Sequence, residues 1–238
     1  MPSTIYAAGN ADGDFEQIIG NSSHTTISDT RNTDTFDILT TAAGYIAAWH
    51  GKVFTTIYVY RPMLAFDLSR ESGTVSSADL KLRSNADATG FMTITTQGST
   101  HICKINPSST DWVTGDMDSL DGWVSSGTYS GNVTEYATAF TNVASTSHTV
   151  ALNATAISDL NSVIGSGTFY ISLLNSADFT YNTATGYLGS PPGSSFGKWA
   201  GGSFDMDNDL VTANRPQIEL TYGAATPTDN SIIFGTNF

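Results

Sequence analysis

Arg61-Pro62-Met63-Leu64-Ala65-Phe66-Asp67-Leu68-Ser69, followed further on by Ala78-Asp79-Leu80-Lys81-Leu82, decides the fold class. In an extended chain successive side chains point to opposite faces. Leu64, Phe66 and Leu68 then share one face, and Met63, Ala65 and Asp67 the other. The second run repeats the alternation, with Leu80 and Leu82 inward and Asp79, Lys81 and Arg83 outward. Strict alternation of this kind marks half-buried strands. The polar segment Ser69-Arg70-Glu71-Ser72-Gly73-Thr74 between them reads as a turn, so the two runs are expected to form one wall of an antiparallel sandwich.

Composition agrees with a β protein. The chain has 238 residues, a size that all-β sandwiches reach as a single domain. Hydrophobic residues make up 39%, enough for a core. Ser and Thr together account for about a quarter of the chain, and with 22 Gly they favour short strands and long polar loops over long helices. The formal net charge of −13 repels phosphate backbones and argues against nucleic-acid binding. Cys103 is the single cysteine, so no intrachain disulfide forms. It lies in the alternating run His101-Ile102-Cys103-Lys104-Ile105, where a buried small hydrophobe is expected. The N-terminal sequence lacks the basic and apolar regions of a secretory signal, and no run reaches membrane-spanning length. A soluble product of cytoplasmic synthesis is the expectation.

Along the chain, residues 1–50 are polar and turn-rich, with apolar islands at Ile18-Ile19 and Tyr45-Ile46. Val53 to Tyr60 reads as a strand, and Pro62 after it suggests an edge position or a bulge. Phe91–Thr96 and His101–Ile105, separated by Gly98, read as a hairpin. Residues 107–147 scatter aromatic residues through Ser, Thr, Gly and Asp, as an excursion covering one end of the sandwich would. His148 to Leu152 is a strand. Asn153 or Thr155 then caps a brief helix through Ala156, Ile157 and Leu160, stopped by Gly165-Ser166-Gly167. Phe169 to Leu174 is the next strand, 182–203 a Gly- and Pro-rich loop, and Pro216 to Tyr222 the closing strand. The expected organisation is a domain over 1–223 and a C-terminal extension over 224–238.

Arg61 through Leu82, the strand–helix–strand from His148 to Leu174 and the closing Arg215-Pro216 to Tyr222 segment together resemble the DNRLRE family, carbohydrate-binding-module-like jelly rolls. Members share an early Ala-Asp element, here Ala11-Asp12, and a central arginine followed by Leu-x-Phe-Asp-Leu-Ser. Ala-x-Leu-x-Leu comes next, and the last strand takes Ile218 and Leu220 at its apolar places. The chain departs from the pattern before that strand, where Asp205-Met206-Asp207-Asn208-Asp209 replaces a Ser-Arg-Glu-like segment. The resemblance implies an antiparallel β-sandwich of jelly-roll type. It also implies a setting like that of standalone marine phage proteins at the virion surface, made in the host cytoplasm and serving as capsid decoration, fibre or spike.

Several groups are candidates for binding. Asp12, Asp14 and Glu16, and then Asp205, Asp207 and Asp209, offer spaced oxygens for a structural calcium, although neither set has the spacing of a full calcium loop. The alternative is solvated loop acids. Trp112, Trp123 and Trp199 fall in Gly- and Ser-rich stretches, where aromatic faces either stack on a glycan or anchor the loops. Ile232, Ile233 and Phe234 form an apolar triplet within the extension, suited to contacts with other virion proteins or with a second copy. The alternative is that the triplet folds back on its own domain. The resemblance implies that Asp67 is a framework position bonding either a neighbouring turn or Arg61, and the four histidines lack ligand spacing. No nucleophile elbow, phosphate loop or zinc motif occurs. The sequence thus points to a non-enzymatic structural protein, with a glycan-binding module as the alternative.

Overall fold

The computed structural model describes residues 3–6, 16–20, 36–40, 45–53, 56–84, 93–95, 99–108, 116, 118–123, 132–143, 145–179, 198–205 and 214–223. Thirteen strands run through them: β1 (Ser3–Tyr6), β2 (Glu16–Gly20), β3 (Phe36–Thr40), β4 (Tyr45–Val53), β5 (Thr56–Asp67), β6 (Val75–Arg83), β7 (Thr93–Thr95), β8 (Ser99–Lys104), β9 (Phe140–Thr141), β10 (Ser147–Ala151), β11 (Thr168–Asn175), β12 (Lys198–Asp205) and β13 (Gln217–Tyr222). Helix α1 (Ala154–Val163) precedes β11, and a single helical turn, α2 (Ser176–Phe179), follows it.

The strands form an all-β sandwich of two sheets. One is antiparallel, in the order β1-β13-β6-β10. The other runs β7-β12-β4-β5-β11-β8-β9, with β2 paired to β3 and β5. Alternation accounts for how they pack. Ile218 and Leu220 of β13, Leu80 and Leu82 of β6 and Val150 of β10 meet Leu64 and Phe66 of β5, Ile102 of β8 and Ile171 and Leu173 of β11 in one buried cluster. A fully buried Leu or Phe contributes about 1.5–3 kcal/mol. A surface pair such as Lys81 with Glu219 adds at most about 1 kcal/mol. Cohesion therefore resides in this interior.

The opposite face of β5, β8 and β11 is covered as well. Met63, Cys103 and Leu174 gather with Ile105, Leu120, Val133 and Phe179 in a second apolar cluster, on which Ala65, Tyr170 and Trp123 pack. Cys103 is fully buried there, as its strand position predicts. Of the described parts of the 107–147 segment, Leu120, Trp123 and Val133 lie over this outer face, whereas Tyr136 and Ala137 enter the first cluster and Phe140 packs against it.

Other expectations are corrected. β5 and β6 do not form one wall: they belong to different sheets and face each other across the core. The segment between them crosses from sheet to sheet, with Gly73 at φ +102° beneath the Tyr222 ring. Alternation looks the same whether two strands lie side by side or face to face, so the pattern does not choose between them. Val53 ends β4, and β5 begins at Thr56 and runs through Pro62 without a break. Pairing with β4 stops at Tyr60 and pairing with β11 starts at Met63, so Pro62 sits at the changeover, opposite Gln17 of β2. A residue without an N–H is tolerated where ladders exchange. β7 pairs in parallel with β12 and, among the described residues, forms no hairpin with β8 of the kind expected.

Helix α1 matches its sequence signals. Asn153 is the N-cap, its side chain accepting from Ala156 N at 3.0 Å. Gly165, at φ +76°, follows the last turn and donates to Leu68 O at 2.9 Å. Ala156 and Leu160 bury against β6 and β11, so the helix closes one side between the sheets. Asn161 completes the closure, accepting from Val75 N at 2.8 Å and donating to Val75 O at 3.0 Å.

Candidate functional site

The described residues bring one group of interacting polar side chains around a cleft, between α1, β8, β11 and the segment before β9. Its construction starts with the helix cap. Asn153 N donates to Tyr136 O at 2.7 Å and Asn153 Nδ2 to Glu135 O at 2.7 Å, fixing that segment against the helix start. Tyr136 N donates to Ile102 O and Lys104 N to Thr134 O, so the segment also lies along β8. Tyr136 is buried and stacks on Phe169, ring centroids 5.2 Å apart.

That scaffold aims three side chains at one another. The Tyr136 hydroxyl donates to Asp159 Oδ2 at 2.7 Å, and Lys104 Nζ lies 2.9 Å from the same oxygen. Asp121 supports the arrangement from the neighbouring turn. It accepts from Asn106 Nδ2 at 3.2 Å and from the Thr134 hydroxyl, while its N–H donates to Lys104 O. The cleft beside them has a volume of ≈ 190 Å³ and is lined by Lys104, Asn106, Asp159, Ser162, Thr168 and Tyr170 among others.

Electrostatics fix the protonation states. Burial drives the Tyr136 phenol far above its ordinary value, and the bond to the Asp159 carboxylate adds to the rise. Burial opposes ionisation of Asp159, but the Tyr136 hydroxyl and the Lys104 ammonium outweigh it and hold the carboxyl below 3.8. One group is pushed up and the other down, away from the range where proton transfer at neutral pH is efficient. The arrangement suits hydrogen bonding: a fixed phenol donor, a fixed carboxylate and a half-exposed ammonium.

The sequence-derived candidates fall elsewhere. Asp12, Asp14, Asp207 and Asp209 lie outside the described residues. Glu16 opens β2 and Asp205 closes β12, where its backbone pairs with Tyr45. Among the described residues no three His, Cys, Asp or Glu side chains gather as a metal site would require. Trp112 lies outside the described residues. Trp199 is not in a loop: it belongs to β12, with its backbone paired to Gly51 of β4 and to Ile94 of β7. Trp123 is half-buried and packs on the second apolar cluster, with the buried Arg61 guanidinium 4.3 Å from its ring centroid. Ile232, Ile233 and Phe234 lie outside the described residues. Asp67 takes the turn option, accepting from Ser69 N at 2.9 Å; hydrogen bonds from Ser69 lower its pKa. His101 stacks on Phe179 at 3.9 Å and meets Glu135 at 2.7 Å, and His148 meets Ser84 Oγ at 2.8 Å.

The Lys104–Asp159–Tyr136 group has little local signature. Its members come from a strand, a helix and an irregular segment, and no spacing rule joins them. The available signal was a lone lysine in the otherwise apolar run from Ile102 to Ile105, together with the single carboxylate of a short capped helix. A scan against protein-family models finds no match for the chain, and a sequence search among curated proteins finds none.

Proposed function

We propose that the chain is a structural protein of a phage virion surface, a capsid decoration or a fibre or spike subunit, that acts by assembly and not by catalysis. The observation that carries this reading is how the ionisable side chains are engaged. Asp159 is held by Tyr136 and Lys104, His101 by Glu135, Lys81 by Glu219 and Asp67 by its own turn. All but the Asp67 contact, which is local, join separate segments of the sandwich. A body stiffened this way, with apolar clusters on both faces of one sheet, suits a particle component. The likeness to DNRLRE-type jelly rolls belongs to the same proposal, as do partnership with other virion proteins or further copies and contact through Ile232 to Phe234. Light scattering coupled to size exclusion tests it on the full-length chain. A closed oligomer such as a trimer is expected for a fibre or spike. A monomer that also fails to bind purified particles would sink the reading.

A glycan-binding role is the second reading, and the cleft beside Lys104 favours it. Tyr170 offers an aromatic surface beside Asn106, Ser162 and Thr168, the mixture that sugar hydroxyls require. At ≈ 190 Å³ the cleft is below the usual range for drug-sized ligands and matches about one sugar unit. Titration of neutral oligosaccharides, followed by NMR, should shift the amides of Thr168 to Tyr170. Unmoved resonances at tens of millimolar sugar would exclude the site.

A further inference from the structure

β10 ends the four-stranded sheet. It pairs with β6 on one side and, among the described residues, with no strand on the other. The ladder identifies the backbone groups left over. Ser84 N donates to Thr146 O and Leu152 N to Ala78 O at the two ends of the pairing. In an antiparallel ladder such bonded pairs alternate with non-bonded ones. Residues 146, 148, 150 and 152 therefore turn their amides toward β6, and Ser147, Thr149 and Ala151 turn theirs to the open edge. The next outward position confirms the phase, since Asn153 N donates away from β6, to Tyr136 O.

Among the described residues this edge lacks the devices that keep edges from pairing. Ser147, Thr149 and Ala151 are exposed, and the strand Ser147-His148-Thr149-Val150-Ala151 contains no proline, lysine or carboxylate. Its register with β6 is regular, without a bulge. Such an edge is a template for an added strand.

The sequence of residues 224–238 contains a run suited to such a strand. Ile232-Ile233-Phe234 is β-branched and aromatic, and Ile232 and Phe234 would share the face that continues the apolar row ending at Val150. The segment's own edge is a poor fit. Gly223 sits beside Thr74, donating to its carbonyl at 2.9 Å, whereas Thr149 lies opposite Lys81. Reaching Thr149 means crossing about three strand spacings and running some six residues along β6, roughly 25 Å. The eight residues 224–231 span at most about 28 Å when fully taut. A second copy faces no such limit. We infer that the open edge of β10 takes the Ile232–Phe234 segment of a second copy as an added antiparallel or parallel strand. This rests on the assembly reading and names its receptor surface.

Complementation tests it on full-length chains. One variant, Ile232→Asp with Phe234→Asp, spoils the donor strand and keeps the edge. Another, Thr149→Pro, removes an outward N–H without taking a bond from β6, and Ala151→Lys blunts the same edge should the proline disturb folding. Each variant alone is expected to self-associate at least ten-fold more weakly than the parent, with unchanged circular dichroism. Mixing donor-spoiled and edge-spoiled chains is expected to restore association as a 1:1 complex. Association lost in the donor variant but intact in both edge variants overturns this edge and leaves the assembly reading standing. Association unaffected by the donor variant overturns the added strand. A parent chain that is monomeric at all concentrations overturns the inference and, if it also fails to bind particles, the assembly reading with it.

Discussion

Replacing Tyr136 with Phe removes one oxygen from a packed interior and keeps everything else. The ring is 2% exposed and stacked on Phe169, and Phe fills the same space. What disappears is the 2.7 Å hydrogen bond to the Asp159 carboxylate. A hydrogen bond to a charged group contributes about 1.5–3 kcal/mol. Asp159 retains Lys104 at 2.9 Å and its side chain is 29% exposed, so water replaces part of the loss and the lower end applies. A destabilisation of about 1.5 kcal/mol corresponds to a drop in Tm of roughly 3–6 °C for a chain of this length. The pH dependence carries the sharper test. The folded-state pKa of Asp159 is lowered from 3.8, so its contribution is fully present above the unfolded value and is lost as pH falls through the lowered one. Urea denaturation followed by tryptophan fluorescence should give a constant gap between parent and variant from pH 8 to about 5, narrowing below 3.8. A variant as stable as the parent at pH 7, or a gap unchanged at the lowest pH that remains folded, would refute the reasoning.

Three further outcomes follow from particular contacts. Asn153→Ala loses the helix cap and the bond to Glu135 O, for a cost of about 1–2 kcal/mol, whereas Asn153→Asp keeps the cap and should lose less; thermal melts rank the two. Gly122→Ala places a Cβ 2.0 Å from Asn132 O at φ +79°, so a loss of more than about 3 kcal/mol or failure to fold is expected, and a near-neutral melt would contradict it. Burial lowers the His148 pKa from 6.5, outweighing the Val143 backbone bond that raises it. His148 therefore withdraws stability as pH falls below 6.5, where the unfolded chain takes up its proton first, and an NMR titration midpoint at or above 6.5 would show the opposite.

Periodicity carries far in this chain because a two-residue repeat is a local property. Leu64, Phe66 and Leu68, or Leu80 and Leu82, can be assigned to one face from neighbours alone, and all are buried on that face. Helix α1 was equally legible, since Asn153 and Gly165 act within a few residues of the backbone groups they satisfy. Pro62 misled for the same reason. Its missing N–H was visible, but whether a ladder needed that donor depended on where β4 ends and β11 begins.

Sequence alone determined that the chain is a β-sandwich protein, which strand faces are apolar and where its helix starts and stops, because each depends on residues a few positions apart. Tertiary structure decided which strands are neighbours. It set β5 across the core from β6, put Trp199 within a strand, laid Trp123 over Arg61, and joined Lys104, Tyr136 and Asp159 from three separate elements. Alternation specifies a face but names no partner; partners are selected by how the two apolar surfaces fit together, and that fit exists only once the chain has folded.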